Sequence, residues 1–91
     1  MIKSDFMMDF GPLMKLLDEI INDRTIPRNI RTVAENSKTA LNNNSESMDS
    51  RISIAINMLD EIINDPNMPM YARTKIWNAV SVLEQARKSL S

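Results

Sequence analysis

The sequence predicts an all-α protein, a four-helix up-and-down-type bundle made of two helix–turn–helix repeats. Apolar residues recur at i, i+3, i+4 and i+7 through most of the chain, the spacing that gives a helix one apolar face. Glycine occurs once, at Gly11, and the four prolines fall near element boundaries, so little interrupts regular helix. The segment Leu17-Asp18-Glu19-Ile20-Ile21-Asn22-Asp23 returns as Leu59-Asp60-Glu61-Ile62-Ile63-Asn64-Asp65, an offset of 42 residues (17 to 59). At that offset Pro27 also matches Pro69, Arg31 matches Arg73, Thr32 matches Thr74, Asn36 matches Asn78 and Leu41 matches Leu83. A period near ~40 is that of helical-hairpin repeats, and two copies fall short of the ~3 that an extended solenoid needs. Two hairpins closing on each other suit the length better. The 91 residues are read as one domain, with repeat one over about 10–42, a linker at 43–47 and repeat two over about 48–90.

Helix one is expected over roughly 10–23. Leu13, Leu16, Leu17, Ile20 and Ile21 share a face, and Pro12 is tolerated in the first turn. Asp23-Arg24-Thr25-Ile26 turns the chain and Pro27 presets φ for helix two, whose inner face is Ile30, Val33, Ala34, Ser37 and Leu41. That helix ends near Asn42. Asn42-Asn43-Asn44-Ser45-Glu46-Ser47 is rich in capping residues and supplies the next N-cap, with Glu46 and Asp49 near the positive end of the helix dipole. Helix three carries Ile52, Ala55, Ile56, Leu59, Ile62 and Ile63, and must stop before Pro66. Asn67-Met68 turns the chain again. Pro69 opens helix four, with Ala72, Ile76, Ala79, Leu83, Ala86 and Leu90 as its apolar stripe.

Little in the composition points to catalysis. The chain has no histidine and no cysteine, which removes imidazole bases, thiolate ligands, cysteine nucleophiles and disulfides together. One glycine cannot build a phosphate-binding loop. Asp18, Glu19, Asp60 and Glu61, read as lying on adjacent helices, invite comparison with carboxylate di-metal sites. Those sites use Glu-x-x-His pairs facing inward, so a solvated acidic edge is expected here, with no metal and no cofactor. Arg31 and Arg73 recur beside the acidic segments and are expected in ion pairs or helix-end hydrogen bonds. Eleven basic residues against twelve acidic ones give a net charge of −1, which supplies no electrostatic reason for nucleic acid or an anionic membrane. Asp5 and Asp9 break the apolar N-terminal stretch and no run reaches the ~20 residues of a membrane span, so a cytoplasmic location is the expectation. Of the methionines, Met14 and Met58 read as core filling, while Met7, Met8, Met68 and Met70 are candidates for an adaptable surface.

Ile26-Pro27-Arg28-Asn29-Ile30-Arg31 and Asp65-Pro66-Asn67-Met68-Pro69, the latter followed by Ala72-Arg73-Thr74-Lys75-Ile76-Trp77, carry a resemblance. Over about Leu13 to Glu84 the chain is similar to the uncharacterised protein family 0147, small archaeal proteins of about this length. The resemblance implies a compact four-helix bundle in the cytoplasm of an archaeon. It implies no activity, and so carries over no functional residues.

The two copies differ most in their second helices. At the 42-residue offset (28 to 70), Arg28, Asn29, Glu35 and Lys38 become Met70, Tyr71, Trp77 and Val80. At 100° per residue, Met70 and Trp77 lie within about 20° of each other and roughly 140–160° from the core stripe. Met70, Tyr71, Trp77 and Val80 are therefore the candidate protein-binding residues, covered either by a partner, a second copy included, or by Ile2, Phe6, Met7 and Phe10 folding back. The function this points to is a non-enzymatic interaction or structural module. Its rivals are a weak nucleic-acid-associated protein using Lys15, Arg24, Arg28, Arg31 and Lys38, and an enzyme of unrecognised type.

Overall fold

The computed structural model describes residues 10–90, which form four helices and no strand: α1 Gly11–Ile21, α2 Arg28–Leu41, α3 Met48–Ile62 and α4 Met70–Leu90. Each helix packs on its neighbours in sequence, and α1 also packs on α4, so the four close a ring with α1 and α3, and α2 and α4, on its diagonals. Short turns make sequential helices antiparallel, which gives the up-and-down bundle. No helix among the described residues is long and apolar enough to cross a membrane.

The helix boundaries follow from local chemistry. Pro12 stands in the first turn of α1, where a missing N–H costs nothing, and the Phe10 carbonyl accepts from Met14 N at 2.8 Å. Pro27 is the N-cap of α2 itself, its φ of −54° leading into the helix while its carbonyl accepts from Ile30 N and Arg31 N. Pro69 does the same for Ala72 N and Arg73 N at the start of α4. Ser47 caps α3, its hydroxyl accepting from Ser50 N at 3.2 Å, and Asp49 lies in the first turn.

All three turns share one hydrogen-bond pattern. The side chains of Asp23, Asn43 and Asp65 accept from the backbone N–H two residues on, at Thr25, Ser45 and Asn67. Their carbonyls accept from Ile26 N, Glu46 N and Met68 N. These are Asx-turns, in which a short acceptor side chain mimics a backbone turn. Eight residues on (23 to 31), an arginine folds back on each: Arg31 Nε donates to Ile26 O and Arg51 Nε to Glu46 O. Arg73 instead uses Nη2 on Asp65 O, leaving its buried Nε without an acceptor among the described residues. The recurrence visible in the hydrogen bonds is thus of a turn, three times over, and includes the linker between the proposed repeats.

The core fills the ring. Leu13, Leu17, Ile20, Ile30, Ala34 and Leu41 from the first two helices meet Ile52, Ala55, Leu59, Ala72, Ile76, Ala79 and Leu83 from the last two. Ser37, buried in this apolar company, donates from Oγ to Val33 O at 2.9 Å, which satisfies it within its own helix. Two turn residues join the core, Ile26 and Met68, so Met68 is not part of any adaptable surface. Leu90, expected at the end of the α4 stripe, is exposed, because the last turn of α4 runs past the neighbouring helices. Leu16, Ile21, Val33 and Ile63 are half-buried at the edges of the stripe.

Candidate functional site

α4 is a 21-residue helix against the 11 residues of α1, roughly 31 Å against 16 Å. Its inner face is core. Of the four candidate protein-binding residues, Met70 is 65% exposed, Trp77 52% and Tyr71 45%, but Val80 is only 8% exposed. Val80 therefore leaves the candidate set. It sits about 80° from Ala72 around α4, on the flank that α3 covers, whereas Met70 and Trp77 lie beyond that flank.

Tyr71 is exposed but engaged. Its hydroxyl donates to Asp23 Oδ2 at 3.0 Å and is also paired with Thr25 Oγ1, tying the start of α4 to the α1–α2 turn. Asn29 Nδ2 donates to Asp65 Oδ2 at 3.0 Å, tying the start of α2 to the α3–α4 turn. At the 42-residue offset Asp23 corresponds to Asp65 and Asn29 to Tyr71, so the two braces are reciprocal across the bundle end. Lys75 Nζ stands 6.0 Å from the centre of the Tyr71 ring.

Asp23 is held below the ordinary carboxylate value, first by the Thr25 hydroxyl, then by the Thr25 N–H, with the Tyr71 hydroxyl and the Lys75 charge adding to it. A depressed folded-state value means stability that is present above the unfolded value and lost as pH falls through the folded one. Replacing Thr25 with Val is therefore expected to raise the Asp23 value towards normal. It should also lower the thermal midpoint at neutral pH, by an amount that shrinks as the solution is taken below the carboxylate range. An NMR titration of the Asp23 carboxyl with melting curves at two pH values checks both.

The charged residues are placed differently from the sequence expectation. α1 and α3 are diagonal, so Asp18 and Glu19 do not lie on a helix adjacent to that of Asp60 and Glu61. Asp18 instead pairs with Lys38 of α2 at 2.7 Å, and Glu19 with Lys75 of α4 at 3.2 Å. No cluster of three or more metal-ligating side chains forms among the described residues. The basic edge is divided as well. Lys38 faces Asp18 and Arg31 holds the Ile26 carbonyl, while Lys15, Arg24 and Arg28 stay exposed. Arg31 and Arg73 make helix-end hydrogen bonds. A hollow of about 380 Å³ borders Ser81, Glu84, Gln85, Arg87 and Lys88 near the end of α4. Of the proposed self-cover for Trp77, Phe10 is half-buried against the core, and Ile2, Phe6 and Met7 lie outside the described residues, as does Met8.

Solved structures share this arrangement. The crystal structure of a protein of unknown function superposes with a TM-score of 0.79 at 47% identity, over 82% of this chain and 85% of that one. The crystal structure of a protein from the uncharacterized family UPF0147 of Thermoplasma acidophilum does so with a TM-score of 0.82 at 41% identity, over 91% and 95%. In sequence, the UPF0147 protein of Thermoplasma volcanium is 46% identical over 49 residues, 54% of this chain and 55% of that protein. The chain thus spans about half the length of the curated relatives it matches. The model of the Uncharacterised protein family (UPF0147) matches residues 3–86. With nearly the whole chain so matched, and the four-helix ring shared with solved structures, the chain belongs to the uncharacterised protein family UPF0147.

Proposed function

We propose that the chain is a non-enzymatic protein-interaction module of the cytoplasm, with the outer face of α4 around Met70 and Trp77 as its contact surface. The observation that carries this is the exposure of both large apolar side chains on a helix whose opposite face is already core. Such a helix holds apolar area on two faces, and the second face gains by being covered. In copy one the same two places are Arg28 and Glu35, both exposed and at ease in water.

Replacing Trp77 with Glu, its copy-one counterpart, tests the proposal. Helicity is expected to persist, while either the native mass falls by half or a bound partner from the native cell is lost. Sedimentation and circular dichroism on the purified protein, with comparison of the proteins that co-purify with each form, read these outcomes. Loss of stability without change in mass or partners would show that the face is covered from within the chain. No change in any of the three would make it ordinary surface.

A further inference from the structure

We propose that the residues before Phe10 cover the projecting end of α4, with Ile2 and Phe6 laid against Ala86 and Leu90. This surface is separate from the Met70–Trp77 face and lies at the other end of the helix.

α1 and α4 run antiparallel in a register set by two contacts. Asp23, just past the end of α1, meets Tyr71, and Glu19, four residues earlier, meets Lys75, four residues later. Continued at that register, Gly11 comes level with Leu83, eight residues on from each member of the second pair (19 to 11, 75 to 83). α1 begins there, yet α4 runs on to Leu90, a further seven residues (83 to 90) or about 10 Å. Burial along the inner stripe of α4 fades over that stretch: Ala79 and Leu83 are wholly buried, Ala86 is 8% exposed and Leu90 40%. All four point within about 60° of one another, so it is the neighbour that changes and not the helix face.

The sequence upstream of α1 supplies a matching neighbour. Phe10 is half-buried against the core, so the chain enters α1 on the inner side of the ring. Counted at 100° per residue, Ile2 and Phe6 fall within about 20° of Leu13, which is wholly buried near the start of α1. Met8 falls about 140° away. At the register above, Phe6 comes level with Lys88, between Ala86 and Leu90 (19 to 6, 75 to 88). The apolar stripe of α1 thus continues upstream in sequence for as long as the stripe of α4 continues in space. Pro12 lacks the N–H that would bond four residues back, which permits a bend at this junction. The family match begins at residue 3 and takes in Phe6.

Length and area choose this segment over a separate partner. The uncovered end is about two turns of one helix, far short of the ~1,200 Å² that a stable interface between separate proteins buries. A segment joined to Phe10 needs no such area, because its tether holds it at an effective concentration on the order of millimolar. To lie on Trp77 instead, it would have to reverse at Phe10, run back along α4 and cross to its outer face.

The full chain tests this through a single spin label. It has no cysteine, so a nitroxide on Ser89→Cys marks the end of α4 alone. Selective broadening of the amides of residues 4–9 is expected, with those of Arg24 and Arg28, at the opposite end of the bundle, left sharp. Phe6→Ser is expected to reduce that broadening and to speed hydrogen exchange of the Arg87 to Leu90 amides about tenfold or more, the scale of one buried aromatic side chain. Met8→Ser, out of phase, should change exchange by no more than about twofold. Trp77 emission should be the same in both variants. Absence of broadening at residues 4–9, or equal effects of the two substitutions, overturns the proposal. So does a red shift of Trp77 emission in Phe6→Ser, which would place the segment on the outer face of α4. Broadening that persists when the labelled chain is mixed with an unlabelled, isotope-enriched one also overturns it, since the occupant is then a second copy.

Discussion

Residues 1–44 produced alone are expected to stay unfolded as a monomer, and residues 45–91 likewise. Each helix of the ring packs on two others, and a cut after Asn44 removes both the α2–α3 and the α1–α4 packing. Leu13, Leu17 and Ile20 on one side, and Leu59, Ile76 and Leu83 on the other, are wholly buried only because the two hairpins cover each other. The reciprocal braces, Tyr71 on Asp23 and Asn29 on Asp65, also cross the cut. Ordering a residue costs about 1–2 kcal/mol in backbone entropy, and a hairpin with one uncovered apolar face has little to set against it. Circular dichroism with sedimentation at low concentration checks this. A monomeric half that melts cooperatively would show that a single hairpin is a folding unit, whereas folding on mixing the halves is the expected result.

Replacing Ile76 with Ala is expected to destabilise the whole chain by about 2–5 kcal/mol, the range for truncating a buried aliphatic side chain in a packed core. A domain of this size has a total stability of only about 5–14 kcal/mol, so the variant is brought close to unfolding at ordinary temperature. Ile76 is fully buried in the second turn of α4 and belongs to the core that all four helices share. Met70→Ala on the outer face of the same helix is the internal control, with a change within about 0.5 kcal/mol expected for a surface position. Urea denaturation of both variants measures the contrast. A small loss at Ile76, or a large one at Met70, would mean that the division of α4 into a core face and a free face is wrong.

The four helices and most of their inner faces were legible because each rests on short-range rules. Proline restricts its own φ and the residue before it, Ser47 caps the helix that begins at Met48, and a 3.6-residue period needs only the sequence to be counted. The shared turn is written in the sequence too, at a spacing that the 42-residue repeat does not contain. An Asp or Asn with its acceptor two residues ahead of Thr, Ser or Asn, and an arginine eight residues on, is written at 23, 43 and 65 alike. The exposure of Met70 and Trp77 followed from the same angular count.

What needed the tertiary structure was every question of which helix stands beside which. Periodicity gives each helix an inner face but does not order the helices around the core, so the repeated acidic segments read as lying on adjacent helices, whereas α1 and α3 are diagonal. Val80 lies on the flank of α4, and whether a flank is surface depends on the neighbour, here α3, that covers it. Leu90 shows the converse, an apolar position in phase with the core but beyond the end of the helices that would bury it. Local backbone chemistry is encoded over a few residues and survives in any context. Ion pairing, as of Asp18 with Lys38 and Glu19 with Lys75, and flank burial arise from contacts between residues far apart in the chain, and exist only once the ring has closed.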